Sequence, residues 1–69
     1  AKMRPPRELE GFTLGESMVQ TKYGVRVISL MRSGKAFQYA DAQTRVDRED
    51  VLVVSGNSLD VIRFSERPR

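Results

Sequence analysis

The sequence predicts a small α+β fold, a mostly antiparallel sheet with two short helices. Three observations carry this reading. "VRVISLMR" and "VLVVSG" are β-branched, aliphatic runs too short for independent helices. Each is bounded by glycine or serine-glycine turn signals. At 69 residues the chain is too short for a parallel sheet with crossover helices.

Taken in order, residues 1–8 read as a linker or tail, because Pro5-Pro6 and the surrounding cations lack apolar periodicity. The folded domain is expected over 9–64, and 65–69 reads as a second tail. Thr13 is a candidate N-cap with Glu16 three residues on, the spacing of a capping box. A helix is expected over Leu14 to Lys22, with Leu14, Met18 and Val19 sharing its buried face and Gly24 ending it in the left-handed conformation. Val25 to Arg32 is the first long strand. Ser33-Gly34 turns the chain into a shorter one, "KAFQYA". "DAQTRVDRED" is a polar loop that drops Val46 into the core. Val51 to Gly56 is an interior strand, and Asn57 or Ser58 caps a last helix in which Leu59, Ile62 and Phe64 point one way.

Both long strands carry apolar groups on both faces. Val25, Val27 and Met31 alternate with Ile28 and Leu30, and Val51 and Val53 alternate with Leu52 and Val54. Two short helices cover one face of such a sheet and leave the other without cover. A second copy of the chain is the economical cover, since a two-fold axis lets one surface complement itself. The expected interface residues are Ile28, Leu30, Leu52 and Val54.

Composition narrows the function. The formal net charge is +3, and all of the excess lies near the ends. Lys2, Arg4, Arg7, Arg63, Arg67 and Arg69 face only Glu8, Glu10 and Glu66 there, while the middle of the chain is balanced. Nucleic-acid binding needs a clustered cationic face, so this pattern argues against it. There is neither cysteine nor histidine, which removes disulfides, the common zinc sites and the most frequent general base. The expectation is therefore a non-catalytic domain with no cofactor, in a reducing, intracellular setting. No run approaches the roughly 20 apolar residues that span a bilayer. "VVSGNSLD" offers a single glycine where a dinucleotide fingerprint needs several. Asp47, Glu49 and Asp50 in "DREDV" are too few for an oxygen-ligand metal site, and Arg45 and Arg48 balance them.

The order of helix, "KYGVRVISLMRSGK", polar loop and "EDVLVVSGNSLDVIRF" resembles the C-terminal RCK, or TrkA-C, domain family of potassium-transport regulators, channels and cation/proton antiporters. "LEGFTLGES", "YGVRVISLMRSG" and "DVLVVSG" carry the resemblance over Leu9 to Phe64. The chain departs from the family pattern in having no proline in "YADAQTRVDRE" and in having Glu49 where a glycine commonly precedes the aspartate. The resemblance implies a dimerising α+β regulatory domain in the cytoplasm, tied to the inner face of the plasma membrane through a transport protein or its gating subunit. In some family members the ligand is cyclic di-AMP, held between two copies. The corresponding surface here offers Arg26, Arg32, Phe37 and Gln38, whose guanidinium groups suit phosphate and whose aromatic ring suits adenine. A pure oligomerisation module without ligand is the nearest alternative, and a small nucleic-acid-binding domain is a more distant one.

Overall fold

The computed structural model describes residues 1–69. Four strands form one antiparallel sheet: β1 (Lys2–Met3), β2 (Val25–Met31), β3 (Phe37–Tyr39) and β4 (Val51–Gly56), in the order β1-β4-β2-β3. Helices α1 (Leu14–Ser17), α2 (Val19–Tyr23) and α3 (Ser58–Ser65) accompany it, with a 3-10 turn at Arg7–Leu9. The buried apolar residues of β2, β4 and the helices belong to one cluster, so all the helical cover lies on one face of the sheet.

The Thr13 capping box forms as expected, with Thr13 and Glu16 exchanging backbone and side-chain bonds of 2.8 and 3.1 Å. The single helix expected over Leu14 to Lys22 is instead broken at Met18, which adopts φ 51°. Two docking directions require the break. The Leu14 and Gly15 amides donate to the Thr44 and Ala42 carbonyls, fixing α1 to the polar loop, whereas α2 packs on β2. Gly15 allows that approach, because a Cβ there would lie 2.9 Å from the Ala42 carbonyl oxygen. Met18 pays for the bend in backbone strain and is itself exposed. Gly24 ends α2 in the left-handed region, as expected, with the Asp60 carboxylate against the space a Cβ would fill.

In α3 the buried face is set by Phe64, with Val61 partly buried beside it. Leu59 and Ile62, expected to point inward, are 55% and 51% exposed. The phase is fixed by the Tyr23 ring, whose centroid is 5.3 Å from that of Phe64.

The ends are not tails. Lys2 and Met3 pair with Val53 and Leu52, Pro5 and Pro6 are buried, and the Arg7 amide donates to the Pro68 carbonyl at 2.8 Å. The Arg67 guanidinium lies 2.5 Å from Glu8 and stacks 4.8 Å over the Tyr23 ring, while the Tyr23 hydroxyl donates to Glu8 at 2.5 Å. These partners, Arg67 first, hold the Glu8 carboxyl below its ordinary range. Terminal residues with no apolar periodicity are thus ordered by backbone pairing and by charge, signals that periodicity does not register.

The strain at Met18 is testable. Met18→Gly removes the Cβ clash at the cost of a more flexible unfolded chain, so a net gain of about 0.5–1 kcal/mol is expected. Urea unfolding measures it, and a loss of stability would show that Met18 contributes packing that outweighs the strain.

Candidate functional site

Beyond the core, one face of the sheet has no helix. Its composition is decided by a β-bulge. Val27 pairs with Val54, but the next paired residue is Ser29, opposite Val53, so Ile28 is the extra residue. The bulge reverses the alternation of β2 and places Val25, Val27 and Leu30 together in the core. Leu30, Leu52 and Val54, expected at a dimer interface, are therefore core residues with at most 2% exposure. Strand alternation separates two sets of side chains but does not say which set the helices cover. Of the four expected interface residues, only Ile28 is exposed.

The uncovered face carries Lys2, Val51, Val53, Ser29, Met31, Phe37 and Tyr39, by pairing register. Val51, Val53 and Met31 are half-buried, Phe37 is 40% exposed and Tyr39 is 91% exposed. The Lys2 ammonium lies 5.2 Å from the Phe37 ring centroid and extends across this face. Gln38, read with Phe37 as a ligand contact, pairs with Leu30 and so belongs to the opposite face.

Arg26 and Arg32 have different surroundings. Arg26 is exposed, makes no ion pair, and lies beside a groove of about 510 Å³ floored by Leu14, Val19, Val27 and Ala40. Arg32 is committed within the chain. It reaches Asp47 at 2.5 Å, Asp50 at 3.3 Å and the Arg45 carbonyl at 2.8 Å. Asp50 is 2% exposed and also accepts from the Asp47 amide at 2.8 Å. This network fastens the loop before β4 to the end of β2, with the Arg32 guanidinium engaged by two carboxylates and still partly exposed. Its signal in the sequence was "DREDV" facing "LMR", where the acidic run reads as a metal site or as charge balance unless the partner is known.

Along β2, Arg26 is about 13 Å from the residue paired with Phe37, counting four strand steps after the bulge is absorbed. A ligand touching both is at least dinucleotide-sized, or is completed by a second copy. No group of three or more His, Cys, Asp or Glu side chains converges in a metal-binding arrangement, and no helix is long and apolar enough to cross a membrane.

No protein-family model matches the chain. It is 30% identical over 59 residues to Ktr system potassium uptake protein C of Bacillus subtilis (strain 168), a match covering 86% of this chain and 27% of the relative. The chain thus spans about a quarter of that relative's length. Among solved structures it superposes on the RCK C domain of the potassium transport protein KtrA in complex with cyclic di-AMP, with TM-score 0.82 and 21% identity over 96% of this chain and 78% of the other. The GsuK RCK domain gives TM-score 0.81 and 15% identity over 93% of this chain and 14% of the other. The GsuK channel bound to NAD gives the same score and identity over 93% and 12%. The fold is that of the RCK C domain, and the resemblance read from the sequence holds in three dimensions.

Removing Asp50 leaves Arg32 without its buried partner and frees the Asp47–Asp50 turn. Asp50→Ala is expected to cost about 3 kcal/mol, near the low end for breaking a buried pair because Arg32 remains partly solvated. Asp50→Asn, which keeps an acceptor for the Asp47 amide, is expected to cost less than half as much. Equal losses in chemical denaturation would assign the stability to the carboxylate charge facing Arg32 and none of it to the turn.

Proposed function

We propose that this chain, an RCK C-type domain by fold, is a non-catalytic regulatory domain of a bacterial potassium-transport protein, working as a homodimer that binds a nucleotide of the cyclic di-AMP class between its two copies. The observation that carries this reading is the uncovered apolar face of the sheet, bordered at one end by the unpaired Arg26. Apolar patches of this kind are scarce on monomers and mark sites of association.

The Ktr relative supports a role in potassium transport. For the ligand, the KtrA RCK C domain with cyclic di-AMP is the more informative neighbour, since this chain matches 78% of it, against 12% of the NAD-bound GsuK channel. On this reading Arg26 meets a phosphate and Phe37 offers its ring to a base. Arg32 does not touch the ligand but holds the β2–β3 hairpin in place. The domain sits at the inner face of the plasma membrane through the protein that carries it, whether a channel, a gating subunit or a cation/proton antiporter. Ligand bound between the copies favours one arrangement of the pair by its difference in affinity for the two, and the gate or carrier responds to that shift.

A second reading, pairing without any ligand, is favoured by the engagement of Arg32 with two carboxylates. Calorimetric titration with cyclic di-AMP, alongside equilibrium sedimentation, separates the two. The expected outcome is saturable heat that weakens about 10- to 100-fold in Arg26→Ala, the range for losing a charge-assisted hydrogen bond. A dimer that gives no heat leaves the pairing role alone.

A further inference from the structure

The two edges of the sheet are chemically unlike. The β1 edge is blunted by Lys2 and by Pro5-Pro6 directly after the strand. At the other edge, β3 presents Phe37, Gln38 and Tyr39, without charge or proline and with all three side chains exposed. An open edge of β-prone residues is a template for another strand.

The phase of its hydrogen bonds is determined. The Ala40 amide donates to the Ile28 carbonyl at 2.9 Å, so by alternation Gln38 also bonds inward to β2. The amides and carbonyls of Phe37 and Tyr39 therefore point outward, along the free edge.

We infer that β3 pairs antiparallel with β3 of a second copy about a two-fold axis at Gln38, joining the two sheets into one of eight strands. This rests on the homodimer reading above and names its contact. The segment "KAFQYAD", Lys35 to Asp41, is a chemical palindrome. With Gln38 opposite Gln38 of the other copy, Phe37 lies opposite Tyr39, Ala36 opposite Ala40, and Lys35 opposite Asp41. Opposite charges meet, aromatic residues meet, and both aromatic pairs lie on the uncovered face. The register also matches the hydrogen-bond phase. Phe37 and Tyr39 exchange both bonds with their opposites, giving four interchain bonds, while Gln38 forms a non-bonded pair with itself. Pairing makes the two uncovered faces continuous, so that a ligand on that surface meets aromatic rings from both copies.

Gln38→Cys tests this directly, because the chain has no other cysteine. Non-bonded pairs in an antiparallel ladder have Cα atoms about 4.5 Å apart, within disulfide reach. Under mild oxidation the variant is expected to form a disulfide dimer at least about tenfold faster than Glu66→Cys, a control for random collision, because pairing raises the effective thiol concentration. Adding Tyr39→Pro removes outward N–H groups without touching the bonds to β2, and is expected to abolish the fast cross-linking. If sedimentation shows a dimer while Gln38→Cys cross-links no faster than the control, this edge contact is wrong and the copies meet through another face. A monomer at every concentration overturns both the contact and the dimer reading.

Discussion

The structure depends on one displaced residue. In an unbroken β2, Val27 and Leu30 would face opposite sides of the sheet, because their separation is odd. The chain has too few apolar residues to fill a core on each side. The bulge between Val27 and Ser29 brings Val25, Val27 and Leu30 to the same side, against Leu52, Val54 and Phe64. The same displacement turns Ser29 and Met31 to the other face and leaves Ile28 exposed at the discontinuity. Core and candidate binding surface are thus two consequences of one local irregularity.

That irregularity also marks the limit of what the residues reveal on their own. The elements were legible where the signal is local: the Thr13–Glu16 box, the left-handed Gly24, the Asn57 cap and the hairpin at Ser33-Gly34 each bond within a few residues. Val46 was legible too, as an isolated apolar residue in a polar loop, and it is fully buried. What failed depended on distant partners. The side of β4 that faces the helices, the phase of α3 set by Tyr23, the bend at Met18 set by Ala42 and Thr44, and the ordering of the ends by β4 and Pro68 are all long-range facts. The presence of two apolar faces was a correct deduction, but Leu30, Leu52 and Val54 were assigned to the wrong one, and only Ile28 lies where it was expected.

The candidate site divides in the same way. Arg26 and Phe37 remain accessible, Arg32 is drawn into a network with Asp47 and Asp50, and Gln38 lies on the opposite face from Phe37. Charge and residue type identify groups suited to phosphate. They do not reveal that a carboxylate 18 residues away has already claimed one of them. The aspartate opening "DVLVVSG" acquires a physical meaning here: it is buried because it closes a turn and neutralises a guanidinium at once, and no buried polar side-chain atom is left without a partner.

Symmetry connects the uncovered face to the proposed ligand. A two-fold pair presents every side chain twice, so its axis is a favourable place for a molecule that repeats itself in the same way. A cyclic dinucleotide consists of two equal halves, and each half can make the same contacts with one copy. A ligand with unlike halves meets one copy well and the other poorly, and gains less from bringing them together. The proposed preference for a cyclic dinucleotide over a dinucleotide with unlike halves rests on the number of equivalent contacts, before any individual residue is considered. Such a ligand holds the two copies in one relative arrangement, which gives a transport protein a state to read.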